Sequence, residues 1–218
     1  MEEFSRDKDD PPVRGFLHRP AAASRGAMVL AHGAGGNSRA PLLIAVAGMF
    51  ADAGITVLRI DLPYRQARPS GSPSPSTAER DRAGIRNAAA ALRRVAPGPL
   101  LLAGHSYGGR QASMLAAEEP AVCDGLLLFS YPLHPPGRPE RLRVAHLPKL
   151  AMPVVFIHGT RDTFGSPEEM QDAVKAIKSA RILWIDKAGH DLGRDRTAVA
   201  RVALDAATTL WRAPSPLG

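Results

Sequence analysis

Cysteine is nearly missing from this sequence: Cys123 is the single one in 218 residues. No internal disulfide can form, so nothing points to a secreted, cross-linked scaffold. Cys123 itself reads as a buried strand residue, because no base stands beside it in a motif that would activate a thiolate. Long apolar runs are missing too. The most apolar long stretch, Leu42 to Phe50, falls far short of the roughly 20 residues that cross a bilayer. Met1 to Asp10 is charged and lacks the apolar core of a signal peptide, so export by that route is not expected and a cytoplasmic location is. Lys plus Arg outnumber Asp plus Glu 28 to 21, for a net charge of +7, but the positive residues are scattered. That dispersal argues against a nucleic-acid partner and leaves only a general attraction to anions. There is no Cys/His cluster of zinc-ligand spacing, no P-loop lysine and no internal repeat, so no metal or organic cofactor is implied.

What is present fits one domain, since a chain of this length buries a sizeable core without disulfides. Short apolar runs alternate with helical patterns, the signature of βα units in a mostly parallel sheet. The expected strands are Ala27 to Ala31, Ile55 to Ile60, Leu100 to Ala103, Gly125 to Phe129, Val154 to Ile157 and Arg181 to Ile185. Helices are expected over Pro41 to Ala53, Ala78 to Val95, from the Ser106 turn to near Glu119, over Pro167 to Ser179, and to about Trp211. Residues 1–24 offer at most one weak strand, Val13 to Leu17; the domain itself spans 25–212, with a tail at 213–218. Tyr64 to Thr77 is so rich in Pro, Ser, Arg and Gly that no regular structure is expected there.

Gly104-His105-Ser106-Tyr107-Gly108 is a G-x-S-x-G between an expected strand and an expected helix, the context that a nucleophile elbow requires. A chance motif in a glycine-rich chain is the competing explanation, and the strand-turn-helix setting counts against it. Ser106 is the candidate nucleophile. In such a fold the acid and then the histidine follow in chain order. The only histidine after the strand ending near Ile157 and its exit loop is His190, the candidate general base. Asp162, in the loop after that strand, is the expected orienting carboxylate; Asp191 competes but adjoins His190, where its side chain points away from the ring. The amides of Tyr107 and Ala34 are the candidate oxyanion-hole donors, the second in His32-Gly33-Ala34-Gly35-Gly36. The other six histidines, His18, His32, His105, His134, His146 and His158, have no assigned chemistry. A remoter alternative is a nucleotide-binding turn at Gly33 to Ser38 with Asp61 as a ribose-binding acid, although Ser38 stands where the third glycine belongs.

From about Arg25 to Leu210 the chain resembles the small α/β-hydrolases related to dienelactone hydrolase. Within them it is similar to the hydrolases grouped with testis-expressed protein 30 and the hydrolase-like domain of NSL-complex subunit 3. The resemblance rests on Ala31-His32-Gly33-Ala34-Gly35-Gly36, Asp61-Leu62-Pro63-Tyr64, Gly104 to Arg110, Gly159-Thr160-Arg161-Asp162 and Gly189-His190-Asp191-Leu192. Ser130-Tyr131-Pro132-Leu133-His134-Pro135-Pro136-Gly137 is its most specific string. It implies an α/β-hydrolase fold, with an eight-stranded type of mostly parallel sheet shortened at its N-terminal edge and flanked by helices. It does not supply a substrate, but all three triad positions are intact, so the expected activity is that of a carboxylesterase-like serine hydrolase cleaving a small ester, thioester or similar acyl bond through an acyl-enzyme on Ser106. Some relatives are complex subunits, so a non-catalytic interaction role stays open beside it.

Between Phe129 and Val154, where hydrolases of this fold insert a lid, the connection is short. Its prolines, Pro132, Pro135, Pro136, Pro139 and Pro148, do not suit an amphipathic helical cover. No lid domain is expected, and the site should be open and prefer short acyl groups. Tyr131, His134 and Tyr64 are expected to wall it. The partner is a small acyl substrate, which arginines in this connection or in the 64–77 loop would bias towards a carboxylate or phosphate; solvated surface charge is the equally weighted alternative.

Overall fold

The structure, a computed structural model, describes residues 1–135, 137–208 and 210. Four strands, β3 (Ala27–Ala31), β5 (Leu100–His105), β6 (Gly125–Phe129) and β7 (Val154–Gly159), are nearly continuous apolar runs. Strands of that composition are stable only when both faces are covered, which is the situation in a parallel sheet wrapped by helices. They form the centre of an eight-stranded sheet with β1 (Glu2–Arg6), β2 (Val13–His18), β4 (Thr56–Ile60) and β8 (Ala180–Ile185), in the order β1-β2-β4-β3-β5-β6-β7-β8. Pairing is antiparallel from β1 through β2 to β4 and parallel from there on.

Side chains alternate across the sheet with period two. Val29 and Leu102 face one core, filled by α3 (Ala78–Arg93), α4 (Tyr107–Glu118) and α5 (Pro167–Val174) through residues such as Ile85, Leu115 and Met170. Leu30 and Leu101 face the other, filled by α1 (Pro41–Asp52) and α6 (Arg196–Ala207) through Val46, Phe50 and Ala203. All parallel strands deliver their C-terminal ends to one edge, where a ligand site in an open α/β sheet belongs. Residues 130–153, linking β6 to β7, hold one 3-10 turn at Leu147–Lys149 among the described residues, and no lid domain covers that edge.

Several expectations need correction. Residues 1–24 carry two strands rather than one, so the N-terminal edge is not shortened. β1 is an edge strand of sequence Glu-Glu-Phe-Ser-Arg whose registration, Glu2 opposite Leu17, comes from backbone pairing, so it needs no apolar run. The 64–77 loop contains regular structure: α2 (Pro63–Ala67), with Pro63 preset for a first turn, and a 3-10 turn at Pro75–Thr77. Tertiary contacts stabilise α2, with Arg65 donating to the carbonyls of Gly36, Ala34 and Gly71. α5 stops at Val174, short of Ser179. Cys123 is buried but lies between a 3-10 turn and β6, not in a strand, and burial pushes its thiol up to about 12. The last helix ends at Ala207; Trp211 and the 213–218 tail lie outside the described residues. Among the described residues no helix is long and apolar enough to cross a membrane.

Burial pushes His18, His105 and His146 each down to about 4, with the Arg59 and Arg110 cations adding to the effect on His18 and His146 respectively. In the unfolded chain each returns to roughly 6.5. These imidazoles are therefore neutral in the native state, and their stabilisation is complete above pH 6.5. It is lost as the pH falls from there through about 4. Asp81, whose carboxyl burial raises, titrates with the opposite sign, but one carboxyl does not offset three imidazoles. Unfolding near pH 5 should take up about two to three protons, so the urea midpoint should fall between pH 7 and pH 5. Equal midpoints would show that these histidines are not held neutral.

Candidate active site

At the end of β5 the chain reverses into α4 through Ser106, which sits at φ 50° and ψ −116°. A non-glycine residue in that region is strained and persists only where its surroundings hold it. Here the Ser106 amide donates to Phe129 O at 2.8 Å, and Ser106 O accepts the first α4 bond from Arg110 N at 3.0 Å. The flanking glycines follow from close approach. A Cβ on Gly104 would lie 2.5 Å from Gly109 N, and one on Gly108 would lie 2.5 Å from His32 O.

Ser106 Oγ donates to His190 Nε2 at 2.8 Å, and His190 Nδ1 donates to Asp162 Oδ2 at 2.8 Å. This assignment follows from the partners: a carboxylate only accepts, so the proton sits on Nδ1 and Nε2 is free to accept. Burial by itself raises the Asp162 carboxyl, but His190 and the Phe164 amide, which donates to Oδ1 at 2.9 Å, hold it below the usual range. Asp191 stands apart. Its carboxylate is exposed, accepting from Gly193 N at 3.0 Å and lying beside Arg196.

The loop after β3 is fixed by its carbonyls. Gly33 O accepts from His32 Nδ1 at 2.8 Å, Gly36 N at 3.0 Å and Tyr64 Oη at 3.3 Å. Because the Gly33–Ala34 peptide is planar and trans, pinning this oxygen also sets the direction of the Ala34 N–H. Ala34 O accepts from Tyr64 Oη at 2.7 Å and from Arg65 Nη2 at 3.1 Å. The Tyr107 amide is the first N–H of α4 and has no partner inside the helix. A fully buried carboxylate joins these two segments: Asp81 Oδ1 accepts from Tyr64 N at 3.0 Å and Oδ2 from Tyr107 Oη at 2.7 Å.

Ser106 opens onto two cavities. One, of about 900 Å³, is lined by Ser106, Tyr107, Arg110, Pro132, Arg143 and Phe164 among others. The second, of about 450 Å³, includes Ala34, Leu42, Leu43, His105, His190 and Phe164. The Phe164 ring stacks on His190 at 4.1 Å between centroids and borders both cavities.

Three residues expected in the site wall lie behind it. Tyr131 is fully buried, with its ring edge-on to Phe156 at 5.7 Å and its hydroxyl donating to Arg143 O. His134 is buried between Pro135 O and Glu169. Tyr64 points into the Gly33-Ala34 loop. In each case an inward polar partner satisfies the tip while the core takes the ring, so none is presented to a ligand. The nucleotide alternative fares no better: Asp61, its ribose-binding candidate, is taken by Ser38 through N–H at 2.7 Å and Oγ at 2.9 Å. Among the described residues no group of three or more His, Cys, Asp and Glu is placed to hold a metal ion. Sequence reasoning missed Asp81, Phe164 and Arg110; only Phe164 had a local signal, two positions after the acid in an Asx-type turn.

Est1E from Butyrivibrio proteoclasticus superposes with a TM-score of 0.78 at 17% identity, over 96% of this chain and 99% of that one. XC6422 from Xanthomonas campestris, described as an α/β serine hydrolase without lid, gives 0.76 at 18% identity over 98% and 96%. Dienelactone hydrolase from Anabaena variabilis gives 0.76 at 22% identity over 97% and 99%. At these identities the likeness is one of fold. A family model described as an alpha/beta hydrolase domain matches residues 24–207, and the chain belongs to that α/β-hydrolase family.

Proposed function

We propose that this protein is a serine hydrolase acting on a small ester or related acyl bond, with Ser106 as nucleophile, His190 as general base and Asp162 as the group that orients it. The observation that carries the proposal is the unbroken hydrogen-bond relay from Ser106 Oγ through His190 to buried Asp162. In the proposed reaction Ser106 Oγ attacks the acyl carbon while His190 Nε2 takes its proton. His190 returns that proton to the leaving oxygen as the acyl–oxygen bond breaks. Water then attacks the acyl-enzyme with His190 again as base, releasing the acid and restoring Ser106. The Ala34 and Tyr107 amides receive the negative charge that develops on the acyl oxygen. A partner-binding protein has no use for a nucleophile-type serine held at φ 50°, so the strain at Ser106 favours catalysis over the interaction role.

A fluorophosphonate probe should label Ser106 in the wild-type protein and leave Ser106→Ala unlabelled; an unlabelled wild type would overturn the assignment. Asp162→Asn should lower kcat by about a thousandfold or more through loss of the correct imidazole tautomer. Asp191→Asn should cost much less, and the reverse ranking would exchange the two carboxylates.

In this reading Asp81 and Tyr64 are positioning residues that hold the two oxyanion donors at a fixed separation. Asp81→Asn and Tyr64→Phe should each lower kcat by roughly tenfold to a hundredfold, a fraction of what deleting a donor costs. KM should change little, because the donors act on charge that appears in the transition state. A rise in KM at constant kcat would assign these residues to ground-state binding instead. With no lid, the rate on a poorly soluble ester should follow the dissolved ester and level off at its solubility limit, with no jump there. A jump at that limit, measured by titrating the ester across it, would reveal a cover that opens at an interface.

A further inference from the structure

The two cavities beside Ser106 are not chemically equivalent, and the reaction decides which part of the substrate each one takes. His190 must hand a proton to the leaving alcohol, so the alcohol lies on the His190 side. His190 lines the 450 Å³ cavity and not the 900 Å³ one. The smaller cavity is walled by Pro41, Leu42 and Leu43, and its Arg196 is already paired with Asp191. It offers an apolar surface with its charge neutralised. By exclusion the acyl group extends into the larger cavity.

That cavity has a cationic wall. Arg110 stands one helical turn beyond Ser106, on the same face of α4. Arg143 approaches from the β6–β7 link. The third arginine there, Arg82, is bonded to Glu118 and Gln111. Neither Arg110 nor Arg143 has a side-chain acceptor among the described residues, and Arg110 Nε is buried with no partner. Glu79, the carboxylate among the lining residues, is exposed to solvent. Burial and the neighbouring Arg110 charge both act against the Arg143 cation. Two converging guanidinium groups without a counter-ion are costly, and an oxyanion bound between them offsets that cost.

Resting on the serine-hydrolase reading, we propose that the site is polarised. The acyl group carries an oxyanion, a carboxylate or a phosphate, held by Arg110 and Arg143, and the leaving alcohol is uncharged and apolar, seated against Leu42 and Leu43. The net reaction is ester plus water giving acid plus alcohol: the acyl–oxygen bond breaks, the alcohol keeps the proton passed on by His190, and water supplies the acid's hydroxyl.

The test compares each charged ester with its own neutral counterpart. 4-Nitrophenyl hydrogen adipate against 4-nitrophenyl hexanoate puts the charge on the acyl side. 4-Carboxyphenyl hexanoate against its methyl ester puts it on the alcohol side. In the wild type the kcat/KM ratio of charged to neutral ester should be at least about tenfold higher for the acyl-side pair, the size expected of one charge-assisted contact. Arg143→Gln, and separately Arg110→Gln, should lower the acyl-side ratio by about tenfold. Ratios of equal size, or an acyl-side ratio unmoved in both variants, would overturn the proposal. If no ester is turned over and Ser106 takes no fluorophosphonate, the hydrolase reading falls, and calorimetric titration with adipate and with inorganic phosphate decides the oxyanion site separately. Saturable binding weakened by Arg143→Gln supports it, the tighter of the two probes naming the anion, and no binding to the wild type overturns it.

Discussion

The close approach of the α4 N-terminus to β3 and β5 is the constraint on which the rest of the site depends. Gly104, Gly108 and Gly109 let backbone meet backbone where a Cβ would stand 2.5 to 2.6 Å from its neighbour. That contact forces Ser106 into a left-handed conformation and projects its side chain from the top of the sheet. It also sets the first amide of α4 beside the loop leaving β3, because Gly108 packs on the carbonyls of Ala31 and His32. With those carbonyls already committed to the close packing, small rigid shifts of the helix would move Ser106 and the Tyr107 amide together.

Two buried aspartates serve this edge in opposite electrostatic conditions. Asp162 receives a ring N–H and a backbone N–H, which outweigh burial and keep it ionised. Asp81 receives a backbone N–H and a phenol, which do not outweigh burial, so its carboxyl is raised. The Tyr107 hydroxyl, pushed upward by burial and by Asp81, stays a proton donor. Asp162 thus presents a charge to His190, whereas Asp81 ties α2, α3 and α4 at one point. The same residue type is divided between two tasks by what it accepts from.

The arginines show a similar division. Arg59 is buried among His18, the Ser38 carbonyl and the Phe16 ring, and Arg65 holds the Gly33 to Gly36 loop. Arg86 and Arg82 pair with Glu119 and Glu118 across the α3–α4 surface. Most of the excess positive charge is therefore structural or solvated, and Arg110 and Arg143 differ from it in facing a cavity without an acceptor.

What the sequence determined by itself is the part encoded in local pattern and chain order. Apolar runs alternating with helical segments specify a parallel sheet, the G-x-S-x-G marks Ser106, and the order of elements selects His190 and Asp162, the pair that the structure brings together. These signals are legible because a strand-turn-helix junction constrains only a handful of consecutive residues. The tertiary structure alone decided the rest. Asp81 lies 17 positions from Tyr64 and 26 from Tyr107, with no periodic pattern to link them. Tyr131 and His134 sit in the most specific string of the chain yet turn inward, because ring packing and a nearby acceptor outweigh exposure to the cavity. β1 is visible only through its backbone pairing, which leaves no side-chain signature. A place on the cavity wall with no side-chain acceptor among the described residues, not composition, separates Arg110 and Arg143 from the other arginines, and that is a property of the packed chain.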